Sequence, residues 1–211
     1  LLTLILLAQG LAFFQFIQTK KPIWMIYMGG LVSLAFLTKS VAGFLILPGL
    51  LAYTLIFERN LIGTIFSSWQ FYVAMVLAAA TVIAYLLARD ALQSGYLDMV
   101  FRSNAGRYTN AVGHDHGIGY YLRNLFTERY IWWMPLAAVG IIVSFYDPNA
   151  SEFFRFSSVL SISFLVVISF SRSKLEWYDM PLYPFLAINA TLGVQTVLKS
   201  ALPKMKIAIM I

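Results

Sequence analysis

The feature that most constrains this chain is a succession of long apolar runs separated by polar connections. An α-helix needs about 20 mostly apolar residues to cross the hydrocarbon core of a bilayer. Seven segments approach that length: 1–17, 22–37, 41–57, 69–88, 131–146, 156–170 and 180–198. Because a spanning segment must satisfy its own backbone hydrogen bonds, the sequence predicts an all-α, polytopic transmembrane helical bundle with about seven spans.

The composition supports lipid as part of the solvent of this chain. Of 211 residues, 60% are hydrophobic and only 11% are charged, whereas soluble domains have about half and a quarter. Membrane lipids are therefore expected partners. The net charge of +6 is typical of loop lysines and arginines that face anionic lipid, so nucleic acid is not an expected partner. The absence of cysteine excludes disulfides and a thiolate metal site.

The apolar runs divide the chain into three regions. Transmembrane helices are predicted over 1–88 and 131–211, and the region 89–130 is too long for an ordinary connection. We expect an extracytoplasmic loop there, in which the partly helical pattern of 89–100 favours a helix lying along the membrane. Apolar runs at both ends indicate an internal piece of a longer protein, truncated within a span at its C-terminus.

The distribution of Lys and Arg predicts the orientation. With Lys20 and Lys21 in the cytoplasm, alternation of spans places seven Lys/Arg in short cytoplasmic loops and three, namely Lys39, Arg172 and Lys174, in the opposite ones. The bias favours this orientation under the positive-inside rule. Lys39, the 89–130 loop and 171–179 would then share the non-cytoplasmic face.

Three polar clusters on that face could carry chemistry. Lys39 is either a snorkelling interfacial lysine or a cation directed at a lipid phosphate. Around Arg107, His114 and His116, a zinc site is disfavoured because two histidines flanking one aspartate lack further ligands, so no metal is expected. A guanidinium and an imidazole suit an anionic phosphate better, although a solvated loop without a site remains the alternative.

The third cluster crowds Arg172, Lys174, Glu176, Tyr178 and Asp179 into eight residues before a helix entry. Interfacial anchoring by aromatic and basic residues is the structural alternative. The density of charge exceeds what anchoring needs. The residues alone thus indicate a membrane protein whose outer face suits a phosphate-bearing lipid, and a transporter would also fit.

Three motifs resemble those of bacterial lipid-linked-sugar glycosyltransferases of the GT-C fold, the superfamily of aminoarabinose transferases and protein O-mannosyltransferases. The run Gly30 to Ser40, followed by apolar residues to Pro48, is similar to "G-L-A-x-L-T-K-G … P". Asn104 to Tyr108, the turn from His114 to Gly117, and Tyr120-Tyr121-Leu122 resemble "R-[YF] … H … P-x-Y-Y-L". Lys174 to Pro181 resembles "K-x-x-x-Y-x-x-P".

The resemblance implies transfer of a hexose or pentose from a polyprenyl-phosphate carrier to a lipid or protein acceptor at the outer face of a bacterial inner membrane. No cofactor is implied beyond this donor substrate. By analogy, the carrier phosphate would be held by five residues: Arg107, His114, Lys174, Tyr178 and Lys39.

This chain also departs from the family pattern. Ser40 replaces a glycine, and Gly117 or Ile118 stands where the family has proline. The family's catalytic carboxylate lies in a first outer loop upstream of this sequence, so the general base is unassigned, and Asp98, Asp115 and Asp179 are not expected to replace it. The rival hypotheses are a secondary transporter or lipid flippase, with ionisable groups near the bilayer midplane, and a non-catalytic membrane scaffold.

Overall fold

The computed structural model describes residues 1–109, 116–171 and 174–209, with side chains described for 1–102, 116–171 and 174–201. Within these ranges the chain is helical and contains no β-strand, which confirms the all-α prediction. The α-helices are α1 (Leu2–Thr19), α2 (Ile23–Lys39), α3 (Leu47–Phe57), α4 (Asn60–Ser67), α5 (Trp69–Leu92), α6 (Tyr96–Thr109), α7 (Tyr120–Asn124), α8 (Met134–Tyr146), α9 (Glu152–Phe170) and α10 (Tyr183–Ile209). Short 3-10 helices cover Ser40–Phe44 and Glu176–Leu182, and a π-helical turn covers Leu125–Arg129.

Four of the described helical segments are long and apolar enough to cross a membrane: Leu2–Thr19, Ile23–Phe44, Trp69–Leu92 and Glu152–Phe170. They support a polytopic membrane protein. The predicted count of about seven spans is not confirmed, since the described residues contain these four candidates. The predicted segments 41–57 and 131–146 instead contain the shorter apolar helices α3 and α8. Eleven residues, as in α3, extend about 16 Å at 1.5 Å per residue, short of the roughly 30 Å hydrocarbon core.

The segment 41–57 is shortened because the chain first folds back on α2. Ser40 adopts a φ of 51°, in the region that favours glycine. At Gly43 an added Cβ would lie 2.6 Å from the backbone carbon of Ala35, so only glycine permits this close return. Helix α3 then begins at Leu47 with Pro48 in its first turn, a position that proline tolerates.

Polar side chains gather at the two ends of the helices. At one end, Lys20 forms an ion pair with Glu58 at 3.1 Å, and Gln18 donates to Glu152 at 2.8 Å. We call this the Lys20 end. Helices α2 and α9 both run from it to the opposite end, which we call the Tyr178 end and which comprises Lys39, Tyr121, Arg129, Lys174, Tyr178 and Asp179. The loops that the alternation of spans assigns to one side of the membrane thus lie close together at one end of the helices.

Helix α8 packs against α10 through two glycines. An added Cβ at Gly140 would collide with the carbonyl oxygen of Asn189, and one at Gly193 would collide with that of Leu136. Small residues at such crossings let helix backbones approach closely in a bilayer, where the hydrophobic effect does not drive helices together. The pair therefore fixes the position of α10 and of the polar segment that precedes it.

A buried polar network joins α9 to the same two helices. Ser144 of α8 donates to Ser158 at 2.8 Å, Ser158 donates to the side-chain oxygen of Asn189 at 2.9 Å, and the Asn189 amide donates to Ser161 at 3.2 Å. All four residues are buried. Mutual hydrogen bonding removes most of the cost of placing these groups in an apolar interior.

We expect Gly140→Ala to destabilise the protein by about 1–3 kcal/mol, because the new methyl group forces α8 away from α10. Gly30→Ala is the matched control, since an added Cβ there meets nothing within 4 Å. Thermal unfolding of the detergent-purified protein measures both variants. Equal stability of the two variants would contradict the close helix crossing.

Candidate functional site

Lys39 and Tyr178 meet at the Tyr178 end although 139 positions separate them in sequence. The ammonium nitrogen of Lys39 lies 5.3 Å from the centroid of the Tyr178 ring, within the range of a cation–π contact. Lys39 is exposed and Tyr178 is half-buried. The reversal at Ser40 places Lys39 at the end of α2, and the 3-10 helix Glu176–Leu182 presents Tyr178 opposite it. Two of the predicted phosphate-binding residues therefore share one surface.

Lys174, four positions before Tyr178, is only 3% exposed. Its ammonium group donates a hydrogen bond to the carbonyl oxygen of Ser171. A buried ammonium is stable only when hydrogen-bond acceptors or opposite charges compensate its lost hydration. Lys174 thus adds a buried, hydrogen-bonded amino group to the Tyr178 end.

Tyr121 connects the second motif to the third. Its side chain is fully buried, and its hydroxyl donates to the carbonyl oxygen of Leu175 at 2.9 Å. Burial, together with the nearby charge of Asp179, raises the pKa of the Tyr121 phenol, so this group remains a hydrogen-bond donor at neutral pH. The contact fixes the backbone between Lys174 and Tyr178.

Arg129 is a residue of this site that the sequence analysis did not identify. Its guanidinium contacts the side chain of Glu176 at 3.1 Å, that of Asp179 at 3.1 Å, and the backbone carbonyl of Glu176. Tyr183 donates to the other carboxylate oxygen of Asp179 at 3.0 Å. The arginine therefore ties the π-helical turn to both acidic residues of the 3-10 helix that carries Tyr178.

Asp179 is 1% exposed. Burial raises the pKa of its carboxyl group, while the hydrogen bond from Tyr183 and the charge of Arg129 act in the opposite direction. Its two oxygens are occupied by these partners, and Asp98 pairs with Arg102 at 2.8 Å. Both of these carboxylates therefore have a cationic partner, and Asp115 lies outside the described residues.

The remaining predicted site residues, Arg107 and His114, lie wholly or partly outside the described residues. Arg107 lies on α6, but its side chain is outside the described residues, as is His114 altogether. The neighbouring His116 stacks on Tyr120, with ring centroids 4.2 Å apart. Among the described residues, no three His, Asp or Glu side chains lie close enough together to hold a metal ion.

The Tyr178 end combines two lysines, two tyrosines and an arginine that is already engaged by carboxylates. Ammonium groups and a phenol beside an aromatic face suit an anionic group with several oxygens, such as a phosphate. Because Lys39 is exposed and Lys174 is buried, a ligand would meet Lys39 first. The arrangement can bind and stabilise negative charge.

The chain has no match among protein-family models, curated proteins or solved structures. The helices establish the class of polytopic helical membrane proteins. Any narrower function rests on the chemistry of the Tyr178 end and on the motifs that meet there.

We expect Arg129→Met to lower the free energy of unfolding by about 3–5 kcal/mol, because it leaves the buried Asp179 carboxylate without its charged partner. The double variant Arg129→Met with Asp179→Asn should recover much of this loss, since no uncompensated charge remains. Denaturation in detergent compares the two variants.

The pH dependence of Arg129→Met provides a second test. With the folded-state pKa of Asp179 raised above the unfolded value of about 3.9, protonation favours the folded state. Stability of the variant should be highest in acid and fall as pH rises through the raised pKa. A deficit relative to the parent that is constant with pH would argue against a buried charge as its cause.

Proposed function

We propose that this chain belongs to the transmembrane module of a GT-C glycosyltransferase that transfers a sugar from a polyprenyl-phosphate carrier to a lipid or protein acceptor at the outer face of the membrane. The observation that carries the proposal is the contact of Lys39 with Tyr178 at 5.3 Å. These residues belong to two different motifs of the resemblance. Tyr121, from the remaining motif, contacts the same segment through Leu175.

The chemistry of the proposed transfer requires stabilisation of a leaving phosphate. The bond between the anomeric carbon and the phosphate oxygen breaks, the acceptor oxygen bonds to that carbon, and the acceptor proton passes to a base. The departing polyprenyl phosphate gains negative charge in the transition state, so fixed cations and a phenol donor lower the barrier. Lys39, Lys174 and Tyr178 would supply these groups, with Arg107 and His114 added by the resemblance alone. The base would come from the upstream carboxylate that the resemblance implies.

The backbone at Ser40 adds support. The motif has glycine at this position, and Ser40 adopts a φ of 51°, which glycine reaches without strain. The motif glycine and the observed turn therefore have the same physical explanation: α2 must end abruptly to present Lys39. The turn is present in this chain although serine replaces the motif glycine at position 40.

A transporter or flippase is less well supported. Such proteins place ionisable groups or broken helices near the bilayer midplane. In the four candidate spans, Lys, Arg, Asp and Glu occur only near the helix ends. The buried polar groups deeper in the described bundle are neutral amides and hydroxyls, mostly hydrogen-bonded to one another or to backbone carbonyls.

We expect Tyr178→Phe in the full-length protein to slow transfer about 100-fold, the effect of removing one donor from a developing oxyanion. The substitution retains the ring that contacts Lys39. The measurement is release of polyprenyl phosphate in membranes supplied with polyprenyl-phosphate hexoses and pentoses. Tyr146→Phe is the matched control, because Tyr146 is 83% exposed and lies on the Lys20 side.

Lys39→Gln tests the same site through charge, and it should also slow release while leaving the folded yield unchanged. Rates within about twofold of the parent for both Tyr178→Phe and Lys39→Gln would contradict the phosphate assignment. Movement of the intact sugar-bearing carrier between leaflets, with no release of polyprenyl phosphate, would favour a flippase.

A further inference from the structure

An apolar cavity of about 530 Å³ lies between α2, α3, α4 and α5. Its wall includes Met25 and Met28 of α2, Leu55 of α3, Ile62 of α4 and Phe71 of α5. These residues belong to the parts of the helices nearest the Lys20 end. The cavity is therefore separate from the Lys39–Tyr178 contact, which lies at the other end of α2.

The cavity is open to the outside of the protein on one side. An added Cβ at Gly29 would lie 2.8 Å from Ala74, so α2 and α5 touch at this point and form the back of the cavity. Large apolar side chains that line it, such as Leu51, Phe66 and Met75, are 54–59% exposed. In a bilayer this opening faces lipid hydrocarbon rather than water.

Basic residues stand at the rim of the cavity. Arg59 is exposed, and its Nε donates to the carbonyl oxygen of the lining residue Leu55 at 2.7 Å. Lys21 is exposed and lies four positions before the lining residue Met25. Lys20 is paired with Glu58. The four charged residues Lys20, Lys21, Glu58 and Arg59 together give this part of the Lys20 end a net charge of +2.

We infer that the cavity binds one acyl chain of an anionic glycerophospholipid, with the lipid phosphate at Lys21 and Arg59. The volume lies within the range of about 300–1,000 Å³ that is typical of small-ligand sites, so it suits a hydrocarbon chain rather than a protein helix. The apolar wall can pack against an acyl chain, and the basic residues at the rim can bind a lipid phosphate. Each basic residue near a membrane surface attracts anionic lipid. This inference does not depend on the proposed glycosyl transfer.

Binding of defined lipids to the delipidated full-length protein in detergent, measured by native mass spectrometry, tests the inference. Dioleoyl phosphatidylglycerol should bind at least about tenfold more tightly than dioleoyl phosphatidylcholine. Replacing both rim cations, by Lys21→Gln with Arg59→Gln, should abolish this preference. The matched control is Arg89→Gln with Arg102→Gln, which removes two exposed arginines of α5 and α6 and should preserve it.

The cavity itself is tested by filling it. Ala78 lines the cavity, whereas Ala80 on the same helix is exposed and does not. Ala78→Phe should weaken phosphatidylglycerol binding about tenfold, equivalent to the loss of roughly two buried methylene groups, and Ala80→Phe should leave it unchanged.

Two results would overturn the inference. Equal binding of the two phospholipids in all variants would mean non-specific lipid around the protein. Displacement of phosphatidylglycerol by undecaprenyl phosphate from the parent but not from Ala78→Phe would make the cavity a site for the carrier chain instead. Neither result bears on the rate effects of Tyr178→Phe.

Discussion

The hydrocarbon core of the bilayer supplies no hydrogen bonds, and the organisation of this chain follows from that constraint. Charged side chains lie at the helix ends, where water and lipid headgroups can solvate them. The neutral polar groups that remain inside, such as Ser158 and Asn189, bond to one another. Because α2 and α9 both run from one end to the other, the charged residues form two separate groups, one at the Lys20 end and one at the Tyr178 end.

The two groups differ in their chemistry. At the Lys20 end, exposed cations surround an apolar cavity and suit the surface of a membrane. At the Tyr178 end, Lys174 and Asp179 are buried, and Arg129 and Tyr183 hold the acidic residues in place. Burying ionisable groups is costly, and here Asp179 is compensated by Arg129 and Tyr183, while Lys174 donates to the carbonyl oxygen of Ser171. Among the described residues, the buried ionisable groups Lys174 and Asp179 thus both lie at the Tyr178 end.

Much of this organisation could be predicted from the sequence, because hydropathy directly reports which segments avoid water. All seven predicted apolar segments contain an α-helix. Their lengths could not be predicted as well: the backbone reversal at Ser40 and the contact of Gly43 with Ala35 depend on tertiary packing. The meeting of Lys39 with Tyr178 was expected from a shared face, but the pairing of Arg129 with Asp179, 50 positions away, has no local signal. Which carboxylate neutralises which arginine is decided by helix packing.

The proposed function depends most on whether a carrier phosphate binds beside Lys39 and Tyr178. The most direct measurement is photo-crosslinking of the full-length protein in membranes with a polyprenyl phosphate that carries a diazirine on its first isoprene unit, followed by peptide mapping. Labelling should fall on the segments around Lys39 and Tyr178 and be competed by unmodified polyprenyl phosphate. Labelling confined to α4 and the first half of α5, at the opposite end of the helices, would contradict the account.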